Sequence, residues 1–70
     1  MQQIIKKYNL SDAEKREINI VIKNKHGLSL DDINFMIEAR QKDGYLYTVF
    51  KNDDFRDCTI EILQEIKKGV

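Results

Sequence analysis

Proline and tryptophan are absent from this 70-residue sequence, and cysteine occurs only once. A single cysteine, Cys58, excludes an internal disulfide and any zinc site built from several cysteines. We expect one domain, residues 1–70, whose core supplies no more than about 3 to 5 kcal/mol when neither a disulfide nor a metal reinforces it. Packing and association with other chains are the remaining sources of stability.

An excess of charge of either sign is also missing, because Lys plus Arg and Asp plus Glu both number 12. No net field therefore draws the chain to nucleic acid or to an anionic membrane. No apolar run approaches the ~18 residues that span a bilayer, and the N-terminus lacks a signal-peptide core. We expect a cytoplasmic protein with no membrane partner. The abundance of Ile, Lys and Asn suggests an AT-rich coding genome, such as that of a low-GC bacterium or its phage.

The clearest feature that is present is a helix start at Ser11. Ser11 and Glu14 form a capping box, in which the hydroxyl and the carboxylate each bind an otherwise unpaired backbone N–H. Basic residues precede Gly27, as is typical of a helix end. The pattern predicts a helix over residues 12–26, preceded by about two helical turns or a short strand at the N-terminus.

A strand competes with this helix over residues 17–23. Ile18, Ile20 and Ile22 alternate as in a strand, and on a helix Ile20 falls on the face opposite the other two. We prefer the helix because the boundary signals agree at both ends.

A second capping box, Ser29 with Asp32, predicts another helix over residues 30–43. Leu28 is expected to close the corner between the two helices. The second helix is apolar over most of its circumference, so we expect it to be the central helix of the fold. Its apolar residues are Leu30, Ile33, Phe35, Met36, Ile37 and Ala39.

Beyond Gly44 the sequence favours a strand over residues 45–50, because these residues are aromatic, β-branched or apolar. A strand needs a partner, either in the N-terminal segment, in residues 17–23 or in a second copy of the protein. A final amphipathic helix follows the Asx residues 52–54 and ends near Gly69. Its predicted buried residues are Phe55, Cys58, Thr59, Ile62, Leu63 and Ile66.

These elements predict a mainly α fold, a small helical domain of three or four helices with one short extended strand. The alternative is an α+β fold with a two-stranded sheet, which applies if residues 17–23 are a strand.

Catalytic and metal-binding residues are sparse. His26 is the sole histidine, and its position at a helix C-terminus explains it electrostatically. Cys58 falls on an apolar stripe, where a buried thiol is inert. Asp53, Asp54 and Asp57 lack the spacing of an EF-hand, and helix capping explains them. We therefore expect no enzyme activity, no metal and no cofactor.

Two helices joined through Gly27 also fit a helix-turn-helix, and residues 24–33 resemble the second-helix region of MerR-type regulators. The resemblance implies DNA binding, but the winged DNA-binding helices of that family have no counterpart here. Asp31 and Asp32 would repel phosphate at the start of the second helix. A nucleic-acid-binding regulator is therefore the alternative function. Its phosphate-contacting patch would comprise Lys6, Lys7, Lys15, Arg16, Lys23 and Lys25.

The preferred function is a small non-enzymatic protein-binding regulator, adaptor or inhibitor, of the kind that phages and mobile elements encode. Aromatic side chains beside acidic ones suit a protein interface, because tyrosine supplies contact area with a polar handle. The expected partner is another protein or a second copy of the chain. The predicted partner-binding residues are Phe35, Tyr45, Tyr47, Val49, Asp53 and Asp54.

Overall fold

The computed structural model describes residues 1–43 and 50–69. Four α-helices lie in these ranges: α1 (Gln2–Lys6), α2 (Asp12–Lys23), α3 (Leu30–Asp43) and α4 (Asp53–Lys68). A single 3-10 turn, Lys25–Gly27, connects α2 to α3.

Both predicted capping boxes are present. The Ser11 hydroxyl accepts a hydrogen bond from the Glu14 backbone N–H at 3.2 Å, and Glu14 Oε1 accepts one from the Ser11 N–H at 2.7 Å. Ser29 and Asp32 exchange the equivalent pair of bonds, both at 3.1 Å. Each box occupies backbone donors that a helix start otherwise leaves unpaired, so these helix starts were predictable from sequence.

Residues 17–23 are helical, so the competing strand interpretation is wrong. Ile18 is buried, whereas Ile20 is 50% exposed, which is how a helix separates residues two apart. The helix ends at Lys23, three residues before the predicted end, because the chain tightens into the 3-10 turn there. Leu28 follows this turn and packs against the core.

The central helix is α4, and the prediction that residues 30–43 form it is wrong. Helix α4 packs against α1, α2 and α3, with its most extensive contacts to α3. All six residues predicted for its apolar stripe are buried: Phe55, Cys58, Thr59, Ile62, Leu63 and Ile66. A one-sided stripe over 16 residues offers neighbouring helices a continuous apolar surface. Helix α3 lacks such a stripe, because Leu30 and Phe35 point outward.

The mainly α fold is confirmed. No strand occurs in the described ranges, and of the predicted strand 45–50 only Phe50 lies within them. Within residues 1–43 and 50–69, no helix combines the length and the apolar character that crossing a membrane requires.

Candidate functional site

The six predicted partner-binding residues fall into two groups. Tyr45, Tyr47 and Val49 lie outside the described residues. Phe35, Asp53 and Asp54 are described, and the structure places Phe35 on α3 and both aspartates at the start of α4.

Phe35 lies on the outward side of α3. Its side chain is 59% exposed, although the helix buries Ile33 and Ile37 on its other side. Asp31 and Glu38, four residues before and three residues after Phe35, are both exposed. Side chains at these spacings are neighbours on a helix surface. An exposed aromatic ring therefore lies between two carboxylates. We call Asp31, Phe35 and Glu38 the acidic face of α3.

Helix α2 carries a matching arrangement with the opposite charge. Ile20 is 50% exposed, and the exposed residues Arg16 and Lys23 lie four before and three after it. Exposed Lys15 adds a further positive charge to the same helix. Arg16, Ile20 and Lys23 are called the basic face of α2 below.

Sequence reasoning missed this correspondence, although its signal is visible in the sequence. Residues 16–23 read REINIVIK and residues 31–38 read DDINFMIE. The third residue of each octet, Ile18 or Ile33, is buried, and the fifth, Ile20 or Phe35, is exposed. The end charges are positive in the first octet and negative in the second. The two faces can be recognised only when it is known which isoleucines are buried and which are exposed.

The charges of the two faces are not neutralised locally. Within the described ranges, the ion pairs involve Lys7 with Glu61, Arg56 with Asp53 and with Asp57, and Lys68 with Glu65. None of these pairs includes a residue of either face. The four end charges therefore remain available to a binding partner.

Asp54 has a structural role at the start of α4. Its backbone N–H donates to Asn52 Oδ1 at 3.1 Å, and its carboxylate accepts from the Asn9 N–H at 3.1 Å. Asp53 is exposed, and its carboxylate lies 3.4 Å from the Arg56 guanidinium. Asp53 is therefore the more accessible of the two predicted partner-binding aspartates.

The starts of α2 and α4 are linked through Glu14. Asn52 Nδ2 donates to Glu14 Oε2 at 2.9 Å, while Asn52 Oδ1 caps α4. Glu14 is only 6% exposed. The hydrogen bond from the Ser11 backbone lowers the pKa of Glu14 below its ordinary value, and the bond from Asn52 acts in the same direction. Glu14, Asn52 and Asp54 thus hold the beginnings of two helices together.

A shallow depression of about 550 Å³ lies along the outer side of α4. Lys7 Nζ lies 2.6 Å from Glu61 Oε1 beside it, and the Tyr8 hydroxyl donates to Glu61 Oε2 at 3.4 Å. Burial and the Glu61 charge raise the pKa of Tyr8. Carboxylates and amides dominate the lining of the depression, which consists of Tyr8, Gln41, Arg56, Asp57, Ile60, Glu61 and Gln64.

Cys58 and His26 do not form a reactive pair. Cys58 is fully buried, and burial followed by the Glu61 charge raises the pKa of its thiol to about 11. His26 lines a separate hollow with Ile66, and Ile66 lies about 12 Å further along α4 than Cys58, at 1.5 Å per residue. The thiol is therefore protonated at neutral pH and has no imidazole beside it.

The aspartates at the start of α4 are not arranged as a metal site. Asp53 and Asp57 both pair with Arg56, and Asp54 binds backbone. Over residues 1–43 and 50–69, no group of three or more His, Cys, Asp or Glu side chains converges in a way that suits a metal ion.

The chain was compared with protein families, curated proteins and solved structures, and nothing matches it. The functional interpretation therefore depends on the surface just described.

Proposed function

We propose that this chain is a small non-enzymatic protein-binding module, a regulator, adaptor or inhibitor that acts through an interface containing Phe35. The observation that carries the proposal is the position of this ring, which is 59% exposed between Asp31 and Glu38. Aromatic side chains are enriched among the residues that contribute most to protein interfaces.

The small size of the domain adds to this argument. A 70-residue chain has little apolar surface to spare, since its core supplies only about 3 to 5 kcal/mol. Single exposed apolar residues are common on protein surfaces. Phe35 differs because carboxylates flank it on the same side of the helix, which gives an apolar centre with a charged rim.

The charges around Phe35 indicate the chemistry of the partner. Asp31 and Glu38 favour a partner surface with an apolar pocket bordered by Lys or Arg. Tyr45, Tyr47 and Val49 remain sequence-based candidates for the same interface, because they follow α3 directly in the chain, and exposed Asp53 remains a candidate at the start of α4.

Comparative affinity capture from the native host tests the proposal. Phe35→Ser removes the ring, and Leu30→Ser is the matched control, because Leu30 is 44% exposed on the same helix but is about 140° away around its axis. We expect Phe35→Ser to lose the proteins that the wild-type chain captures and Leu30→Ser to retain them. Equal retention by both variants would remove Phe35 from the interface.

A second candidate function is supported by the basic face of α2. Lys15, Arg16 and Lys23 are exposed on one helix, and such a row suits phosphate contacts. Of the other basic residues predicted for this role, Lys6 is exposed, whereas Lys7 pairs with Glu61 and Lys25 is half-buried. Titration of duplex DNA binding against salt, with Arg16→Gln/Lys23→Gln as the comparison, distinguishes this function. Negligible binding at low salt would eliminate it.

A further inference from the structure

Two faces of this molecule are complementary to each other. The basic face of α2 has an exposed isoleucine between two cations, and the acidic face of α3 has an exposed phenylalanine between two carboxylates. In both, the charges lie four residues before and three residues after the apolar residue. The faces therefore have the same dimensions, with apolar centres and opposite charges.

The two faces do not satisfy each other within one chain. Ile20 and Phe35 are both at least half exposed, and in the described part of the chain no ion pair joins the charges of one face to those of the other. Their complementarity is therefore available only between molecules.

We infer that a second copy of this chain is a partner, with the basic face of α2 of one copy packed on the acidic face of α3 of the other. This inference rests on the proposed protein-binding function and identifies the partner. The two apolar centres meet, and opposite charges meet on either side of them. Parallel and antiparallel helix directions both satisfy this pairing, because the two charges on each face have the same sign.

The whole-molecule charge is compatible with this association. The formal net charge is zero, so two copies approach without long-range repulsion. An apolar centre with a charged rim matches the usual organisation of protein interfaces. One opposite charge borders each face: Lys42 lies on the same side of α3 as Phe35, one turn beyond Glu38, and half-buried Glu17 lies three residues before Ile20 on α2.

A charge-swap experiment on the full chain tests the inference. The first variant, Arg16→Glu/Lys23→Glu, makes both faces acidic, and the second, Asp31→Lys/Glu38→Lys, makes both basic. Sedimentation equilibrium measures the dissociation constant of each variant alone and of their mixture. Wild-type association is expected to weaken as salt increases, because exposed charges are screened.

Each variant alone should associate about tenfold or more weakly than wild type, because like charges now face each other. Their equimolar mixture should recover association close to wild type, since every contact between the two variants again joins opposite charges. The control Lys6→Glu/Lys51→Glu changes the net charge as much as the first variant at two exposed positions outside the faces. It should associate like wild type.

Three outcomes would overturn the inference: a wild-type chain that remains monomeric at about 1 mM, variants that fail to complement each other, or a control that associates as weakly as the first variant.

Circular dichroism checks that each variant is folded. If a reversal variant is unfolded, the milder Arg16→Gln/Lys23→Gln and Asp31→Asn/Glu38→Gln replace the pair, and both must weaken association. A monomeric wild type whose capture of another protein still depends on Phe35 would refute self-association while leaving the proposed function intact.

Discussion

Helices α3 and α4 pack against each other, have similar lengths and use their apolar residues differently. Helix α4 keeps its apolar residues other than Ile60 on one side and buries all six of its predicted stripe. Helix α3 spreads its apolar residues around its circumference, so that Ile33, Ile37 and Ala39 are buried while Leu30 and Phe35 are exposed. The comparison shows that apolar residues spread around a helix do not by themselves place that helix at the centre of the core, since some of them stay exposed on α3.

The largest expected effect on stability is the difference between truncating a core residue of α4 and truncating the exposed aromatic residue of α3. Ile62 is 0% exposed, so Ile62→Ala should lower the free energy of unfolding by about 2–5 kcal/mol through lost burial and a residual cavity. Phe35→Ala deletes a larger side chain but should cost about 1 kcal/mol or less, because the ring is largely in solvent. Urea denaturation measures both, and a loss at the upper end of this range would leave Ile62→Ala unfolded without denaturant, because the whole core supplies only about 3 to 5 kcal/mol. A Phe35→Ala cost equal to that of Ile62→Ala would contradict the assigned difference between the helices.

The reaction rates of a thiol on α4 and a thiol on α3 also compare the burial of the two helices. Burial raises the pKa of Cys58 from 9.0 to about 11, which alone reduces the thiolate fraction roughly 100-fold near neutral pH. A cysteine introduced on α3, Phe35→Cys in a Cys58→Ala background, lacks this burial. The native wild-type chain should therefore react with a disulfide reagent at least about 100-fold more slowly than the introduced thiol. Rapid labelling of native Cys58 would show that α4 is accessible.

The contributions of the N-terminal caps of α3 and α4 to stability should differ by a smaller amount. Asn52 caps α4 and also donates to Glu14, whereas the Ser29 box of α3 is exposed. Loss of a cap costs about 0.5–2 kcal/mol, and Asn52→Ala should lie near the upper end because it also removes the hydrogen bond to the buried Glu14 Oε2. Ser29→Ala should lie near the lower end. Thermal unfolding of both variants measures the difference, and a larger loss for Ser29→Ala would contradict the role assigned to the Asn52–Glu14 link.

The smallest effect is the pH dependence that Glu14 adds to the start of α4. Its pKa is lowered in the folded chain, so the unfolded chain takes up the proton first as pH falls. The stabilising contribution is complete above the ordinary pKa of 4.5 and is lost as pH falls through the lower folded-state value. Glu14→Gln should be less stable than wild type at neutral pH, and the difference should shrink in acid. A difference that is constant between neutral pH and pH 3 would indicate that the charge of Glu14 contributes nothing.

Local signals were sufficient to predict much of this fold. The capping boxes at Ser11 and Ser29 and the stripe of α4 require only neighbouring residues in a regular helix, so they were predicted correctly. The centrality of α4 and the 3-10 end of α2 depend on contacts between distant segments, and sequence reasoning misassigned them. The Asn52–Glu14 link also joins residues far apart in sequence, so no local pattern indicates it.

The amino-acid sequence by itself determined where helices begin, that the fold is mainly helical and that α4 has a buried side, because backbone capping and 3.6-residue periodicity act over a few residues. Only the tertiary structure decided which helix occupies the centre. The continuous apolar surface of α4 packs against three neighbouring helices. The core between them cannot hold every apolar side chain of α3. Phe35 is consequently exposed, and with it the acidic face that the proposed interactions require.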